Sequence, residues 1–199
     1  MDSNEQQEKL AQFTEFFTIA HDFSVNLEKH HRSYTQDAFE ASIPLPFMLS
    51  SDNATIDQKA LRPIQNLAGV ASQLVDYLHY QANKIDLLVS YILSQHDDEQ
   101  HRYQGSSFGG GGFTITANNE FELADTLIIK IFLLKQNCAV YCHGEIIEKS
   151  VVDEATSLHE YKVIFDKIRE EDREMLVRTS LHIQSKQLQD LAKKRNQAA

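Results

Sequence analysis

The clearest pattern of apolar positions in the chain is a heptad repeat that begins at Ile64. When Ile64 is taken as position a, eight of the ten a and d positions between residues 64 and 95 are apolar, and only Gln81 and Gln95 interrupt the series. Such spacing over more than four heptads predicts a long helix, which we place within residues 55–102, with Pro63 suited to its first turn. The predicted oligomerisation residues are Ile64, Leu67, Ala71, Leu74, Leu78, Ile85, Leu88 and Ile92.

The flanks of this repeat are apolar as well. Position e is held by Ala68, Val75, Ala82 and Val89, and position g by Val70, Tyr77, Lys84 and Tyr91. A two-stranded coiled coil usually carries Glu and Lys at these positions, so a face this wide must meet more than one neighbour. Either several copies form a bundle, or the helix lies across its own domain. We favour self-assembly into a homo-oligomer, and a tetramer over a dimer.

The N-terminal part of the chain shows weaker signals. Residues 4–30 carry Leu10, Phe13 and Phe16 at helical spacing, which predicts an N-terminal helix within residues 1–30 that stops near residues 21–24. Pro44 and Pro46 exclude a helix interior, so residues 31–54 are predicted to form an extended or edge-strand segment that leads into the heptad helix.

After His101 the pattern changes from helical to alternating. The runs TLIIKIFLL (126–134), AVYCHGEIIEKS (139–150) and HEYKVIFDKI (159–168) are rich in β-branched and aromatic residues, and turn sequences separate them. They predict strands of a small antiparallel sheet or barrel. The last segment begins with acids and ends with bases, as a helix dipole favours, and Val177, Leu181, Leu188 and Leu191 give it an apolar stripe. We therefore predict a long C-terminal helix.

Four consecutive glycines stand in the stretch SSFGGGGFTIT, residues 106–116. A phosphate-binding cradle needs glycines between a strand and a helix, but here they lead into strand-like sequence. A flexible linker is disfavoured because both flanks have the composition of ordered structure. The remaining interpretation is a tight turn into a β-strand.

Composition and charge narrow the classes of function. The 199 residues have a formal net charge of −10, so nucleic acid and anionic membranes are poor partners for the surface as a whole. A local arginine cluster could still hold a small anion. The start of the chain lacks the pattern of a signal peptide, and the longest apolar run is too short to span a bilayer. The sequence predicts a cytoplasmic protein without membrane insertion.

Reactive groups give little sign of catalysis. On a strand, Cys138 and Cys142 would lie about 13 Å apart, too far for a disulfide, and we interpret them as small buried residues. The i, i+5 spacing of His96 and His101 does not suit a shared metal, and the pair at residues 30–31 is interpreted as solvent-exposed. No nucleophile elbow or catalytic carboxylate pair is recognisable. We expect no enzyme activity, no metal and no cofactor.

The order of elements after residue 103 resembles the PilZ domain family. The resemblance rests on Gly105-Ser-Ser-Phe-Gly-Gly followed by a strand, then on HGEII, YKVIF and the EEDREMLVRTSL helix start, and it covers residues 103–199. It implies a six-stranded antiparallel β-barrel with a C-terminal helix, and a place in bacterial cyclic di-GMP signalling. The overall expectation is an α+β protein in which the heptad helix accompanies this barrel.

The resemblance also implies a ligand site, from which this sequence departs. The family's (D/N)xSxxG motif is matched at Ser107 and Gly110, but Gly105 replaces its acid or amide. The family's RxxxR motif is missing ahead of the barrel, where Arg102 is a candidate contact that Arg32 could join through folding. A literal RxxxR at Arg169–Arg173 follows the strands and is interpreted as a solvated helix surface. These departures argue against tight binding of cyclic di-GMP.

Residues 64–95 also resemble the extra heptad helix of the atypical tetrameric branch of this family. Two hypotheses follow. In the first, the chain is a non-enzymatic oligomeric regulator that acts through contacts with an unidentified protein. In the second, it is a genuine cyclic di-GMP receptor with an altered site built from Ser107, Gly110 and Arg102.

Overall fold

A computed structural model describes residues 3–30, 34–50, 70–118, 120–136 and 138–197. The helices are α1 (Ser3–Glu15), α2 (Gln36–Ser42), α3 (Val70–Ser94) and α4 (Glu170–Gln197), and residues 45–50 are also helical. The strands are β1 (Thr18–Lys29), β2 (Arg102–Gly109), β3 (Gly112–Asn118), β4 (Thr126–Leu133), β5 (Cys138–Asp153) and β6 (Leu158–Lys167). Short 3₁₀ turns at Glu99–His101 and Leu134–Gln136 precede β2 and follow β4.

The six strands close into an antiparallel barrel with the order β1-β2-β3-β6-β5-β4. Its interior is filled by alternate side chains of the strands, as the two-residue period requires, and α4 adds Met175, Leu176 and Ile183 to the same core. The predicted barrel and C-terminal helix are therefore confirmed. No helix among the described residues is both long and apolar enough to cross a membrane.

The predicted N-terminal helix, which was expected to stop near residues 21–24, is confirmed only as far as Glu15, where α1 ends. Residues 18–29 form β1, which pairs with β2 on one side and β4 on the other, and thus completes the barrel. Phe23, Val25 and Leu27 alternate into the core, which gives this segment the two-residue period of a strand. The barrel therefore does not begin at residue 103. The helices between β1 and β2 are inserted into it.

The prediction of an extended segment over residues 31–54 is also wrong where the chain is described. Thr35 caps α2, since its hydroxyl accepts a hydrogen bond from the amide of Ala38. Pro44 then separates α2 from the helical residues 45–50, and Pro46 lies in the first turn of that second helix. Both prolines therefore occupy positions where their missing amide hydrogen costs nothing.

These inserted helices cover the outer face of β4 and β5. Phe39, Phe47 and Leu93 pack with Phe132 and Tyr141 in a second hydrophobic cluster outside the barrel. The C-terminal end of α3 is held in place by hydrogen bonds between β1 and the residues that follow the helix. There the buried side chain of Asn26 bonds the side chain of Asp97 and the backbone of Asp98.

The heptad series is only partly described. Helix α3 begins at Val70, so Ile64 and Leu67 lie outside the described residues, and the side chain of Ala71 is not described either. Leu74, Leu78, Ile85, Leu88 and Ile92 all lie on α3.

Candidate functional site

One side of α3 packs on its own domain and a much wider side does not. Leu93 is 1% exposed and Val89 packs against the cluster outside the barrel, so the C-terminal end of the helix is anchored there. On the opposite side of the helix, the large apolar side chains at the heptad positions and beside them are each 38% to 71% exposed. These exposed side chains are Leu74, Tyr77, Leu78, Tyr80, Ile85, Leu87, Leu88, Tyr91 and Ile92. We call this set the α3 face.

The α3 face consists of two adjacent series with heptad spacing. The first is the predicted a and d series from Leu74 to Ile92. The second contains Tyr77, Tyr80, Leu87 and Tyr91, which follow at intervals of three, seven and four residues, with Lys84 at the intermediate position. Two neighbouring series on one helix provide contact surfaces for two further helices.

The four glycines lie at the turn between β2 and β3, as predicted. Helix α1 covers this turn, and a Cβ atom at Gly110 would stand 2.7 Å from Cδ1 of Phe16 and 2.8 Å from Cγ2 of Val177. A Cβ atom at Gly112 would stand 2.1 Å from the carbonyl oxygen of Val163. Here the glycines serve the close approach of α1, α4 and β6.

Arg102 is not brought to the other two predicted ligand residues. Ser107 lies in β2 near this turn and Gly110 lies in the turn, whereas Arg102 begins β2, so about 16 Å of strand separates Arg102 from Ser107. The Nε of Arg102 bonds both carboxylate oxygens of Asp97 at 3.0 and 3.1 Å. Arg32 lies outside the described residues.

The structure also explains why Gly105 replaces an acid or amide. A Cβ atom at this position would stand 2.2 Å from the ring of Phe23. Phe23 itself packs edge-on against Phe108 and Phe113 in the barrel core. Because the ring fills the space beside Gly105, no larger side chain fits there unless the core changes.

An arginine that the sequence interpretation had assigned to solvent reaches the glycine turn. Nη1 of Arg173 donates a 2.6 Å hydrogen bond to the carbonyl oxygen of Gly110, and the guanidinium lies 5.4 Å from the ring centroid of Phe16. Its partner in the literal RxxxR, Arg169, forms a two-bond ion pair with the fully buried carboxylate of Asp172. The interpretation of both arginines as solvated was wrong, because helix spacing alone does not reveal what faces the helix.

A buried histidine lies on the outer face of β5. His143 is 2% exposed, its Nε2 has no hydrogen-bond partner, and its ring contacts those of Tyr34, Phe39 and Tyr141. The ring of His30 lies 4.9 Å away, so the prediction that His30 is solvent-exposed was wrong. Burial, with a smaller contribution from the charge of His30, lowers the pKa of His143 to about 4.

The two cysteines are free and buried. Burial raises the pKa of Cys138 to about 12 and that of Cys142 well above its ordinary value, so both thiols stay protonated and unreactive at neutral pH. Within the described part of the chain, no three His, Cys, Asp or Glu side chains are grouped so that they could hold a metal ion.

Comparison with known proteins rests on structure alone, since no protein-family model and no curated protein matches the sequence. A tetrameric PilZ domain from Xanthomonas campestris, which self-assembles through a helical bundle, superposes with a TM-score of 0.55 at 11% identity. The match covers 90% of this chain and 96% of that one. This chain has a PilZ-like fold.

Two other solved structures superpose with TM-scores below 0.5. The motility inhibitor MotI/DgrA of Bacillus subtilis gives a TM-score of 0.46 at 7% identity. The match covers 86% of this chain and 51% of that one, so this chain spans about half the length of the inhibitor. The PilZ domain of YcgR from Escherichia coli with c-di-GMP gives 0.38 at 13% identity, over 46% of this chain and 78% of that one.

Proposed function

We propose that this PilZ-like protein is a non-enzymatic regulator in cyclic di-GMP signalling that assembles through the α3 face and acts through contacts with another protein. The observation that carries the proposal is the exposure of nine large apolar side chains on one helix. Monomeric soluble proteins seldom expose a contiguous apolar patch of more than a few hundred Å². Burial of these side chains against other copies removes that surface from water, and each fully buried side chain contributes about 1.5–3 kcal/mol.

The number of copies follows from the two adjacent series on α3. A helix that contacts a neighbour through each series sits in a bundle of three or four helices, since a two-stranded coil would leave one series exposed. The tetrameric helical bundle of the similarly folded Xanthomonas protein supports four. We therefore propose a homotetramer whose core contains Leu74, Leu78, Ile85, Leu88 and Ile92, with the series of Ile64, Leu67 and Ala71 extending it.

A matched pair of double variants tests this assembly. Leu78→Asp with Ile85→Asp places two charges in the proposed core, where each would be buried without a partner, and should yield a folded monomer. His79→Asp with Asn83→Asp adds the same two carboxylates to the same helix at exposed positions outside the α3 face, and should leave the mass unchanged. Light scattering after size exclusion measures both. An unchanged mass for the first variant would refute assembly through this face.

The alternative function is direct reception of cyclic di-GMP through an altered site. One observation favours this function. Arg173 lies against Gly110 of the partly matched (D/N)xSxxG motif, although it does not occupy the position of the family's RxxxR motif ahead of the barrel. Arginine is well suited to phosphate and guanine edges. The site of Ser107 and Gly110 would have to open, however, because Phe16 and α1 cover the turn.

Calorimetric titration with cyclic di-GMP at tens of micromolar protein distinguishes the two functions. The adaptor function predicts no saturable heat. Saturable heat that is lost in Arg173→Ala but kept in Arg102→Ala would establish a receptor with its site at the glycine turn. Loss in Arg102→Ala instead would place the ligand at the start of β2.

A further inference from the structure

Helix α4 carries a second apolar stripe along its flank, and beyond Val177, which packs beside the glycine turn, the barrel leaves the leucines of this stripe exposed. Met175, Leu176 and Ile183 form the buried stripe that closes the core, and from residue 185 to residue 195 every described side chain is exposed. Leu181, Leu188 and Leu191 are exposed by 52% to 59%. The helix therefore extends about four turns past Ile183 with an apolar edge that its own chain leaves uncovered.

This edge has the spacing of a coiled-coil seam. Its members alternate by three and four residues, which keeps them on one side of the helix. We call them the outer stripe: Glu174, Val177, Leu181, Gln184, Leu188, Leu191 and Arg195. An acid stands at one end of the outer stripe and a base at the other, with uncharged residues between them.

We propose that the outer stripe pairs with the outer stripe of a second copy of this chain, with the two α4 helices antiparallel. Antiparallel alignment of the seam positions places Leu181 opposite Leu191 of the second copy and Gln184 opposite Leu188. The acidic end of each stripe then approaches the basic end of the other, so that Glu174 and Arg195 attract each other across the pair twice by symmetry. A parallel pair would instead bring like charges together at both ends.

Residues beside the seam are compatible with such a pair. Arg178, Ser185 and Ala192 lie along one edge, and Ser180, Gln187 and Lys194 lie along the other. In the antiparallel alignment Arg178 lies beside Ala192 of the second copy and Lys194 beside Ser180, so neither base faces a like charge. Lys186 and Lys193 lie on the opposite side of the helix from the outer stripe. The opposite charges at the two ends of each stripe favour a second copy in antiparallel order over a partner protein of a single charge sign.

The inference rests on the proposed assembly through α3. Three exposed leucines on each helix bury less surface than the roughly 1,200–2,000 Å² of a stable interface. The pair therefore forms between copies that the α3 bundle already holds together, where the effective concentration is high. In that setting it fixes the orientation of the barrels around the bundle.

Distances between spin labels test the arrangement directly in the full-length protein. Ser185→Cys and Ala192→Cys place one exposed label each on the same edge of the stripe, and the native thiols are buried and unreactive. In an antiparallel pair centred near residue 186, labels at 185 are offset by about 3 Å along the helix axis and labels at 192 by about 18 Å. The expected result is a clearly shorter inter-copy distance at residue 185 than at residue 192.

Each other outcome has a definite meaning. Equal short distances at both positions would indicate a parallel pair, and the absence of a short distance in a protein that is still oligomeric would indicate that the stripe faces solvent or a different protein. Both results overturn the proposal while the α3 assembly stands. A monomeric mass for the labelled and unlabelled chain would instead show that the proposed function itself has failed.

Variants of the stripe provide a second measurement. Leu188→Asp with Leu191→Asp should raise the dissociation constant of the assembly at least tenfold and abolish the short distance at residue 185. His182→Asp with Gln189→Asp adds the same charges to exposed positions on another side of α4, and should change neither. Equal effects of the two double variants would overturn the proposal.

Discussion

The guanidinium of Arg173 joins the C-terminal helix to the glycine turn through a 2.6 Å hydrogen bond to the carbonyl oxygen of Gly110. The same guanidinium lies on the ring of Phe16, which follows α1, so one side chain connects three elements that are far apart in the sequence. The contact also explains how the turn is closed, because Phe16 occupies the space that a side chain at residue 110 would need.

Loss of this arginine should loosen α1. Arg173→Ala removes the hydrogen bond to Gly110 and the contact with Phe16, and we expect it to cost about 1–3 kcal/mol. Hydrogen exchange of the α1 amides should accelerate more than exchange in the barrel. Arg178→Ala is the matched control, because Arg178 forms an exposed ion pair with Glu174 and should cost less than about 1 kcal/mol. Equal exchange in the two variants would contradict this role.

Alanine substitutions in the glycine turn should destabilise in a defined order. Gly112→Ala places a Cβ atom 2.1 Å from a backbone oxygen, Gly110→Ala places one 2.7 Å from the Phe16 ring, and at Gly111 the nearest atom is 3.1 Å away. We expect Gly110→Ala to cost about 1–3 kcal/mol, Gly112→Ala more and Gly111→Ala less. Urea unfolding at one protein concentration measures the series, and a largest loss at Gly111 would refute the explanation.

Stability should depend on pH through His143. The pKa of its imidazole is about 4 in the folded chain and about 6.5 when unfolded, so the unfolded chain binds more protons between these values. The free energy of unfolding should therefore fall as the pH drops from 6.5 to 4, by about 3 kcal/mol at 1.36 kcal/mol per pKa unit, and this contribution should level off below pH 4. Urea midpoints across this range measure the effect.

The side chains around His143 are known, so a substitution of this histidine can test whether it causes the pH dependence. His30, Tyr34 and Tyr141 contact its ring, and Asp166 and Lys167 of β6 act on its charge. His143→Phe keeps a ring in the cluster and should remove most of the slope between pH 4 and 6.5. His182→Phe, at an exposed position, should keep the slope. An unchanged slope in His143→Phe would assign the pH dependence to other groups.

The thiols should be inaccessible in the folded protein. Cys138 is 2% exposed and Cys142 is 0% exposed, and burial keeps both protonated. A disulfide reagent should therefore label neither thiol in the native chain and both after denaturation, whereas His182→Cys, at an exposed position outside the outer stripe, should add one fast-reacting thiol. Rapid labelling of the native chain would show that β5 is not packed as described.

The sequence predicts this fold best where the apolar residues of an element repeat with the spacing of a strand or of a helix. Strands β4, β5 and β6 and helix α4 show alternation or helical spacing, and all four were predicted. Strand β1 was missed because helical spacing through Phe13 and Phe16 was extended past its end, although the alternation of Phe23, Val25 and Leu27 was present. The strand also contains a register shift between Ala20 and Phe23, which breaks the alternation at its start.

The sites were less predictable than the fold because they depend on contacts between distant segments. Arg173 and Gly110 are 63 residues apart, and only the docking of α4 on the barrel brings them together. Similarly, His30 and His143 meet because β1 and β5 flank β4 and the inserted helices close over them. In contrast, the wide apolar face of α3 could be recognised from its heptads, since the pattern lies within one helix.

Sedimentation equilibrium of the unmodified chain over a wide concentration range tests the central claim most directly. Assembly through the α3 face predicts a mass close to four times the 22.8 kDa of one chain, held down to low micromolar concentration. A mass of 22.8 kDa that does not change with concentration would contradict it.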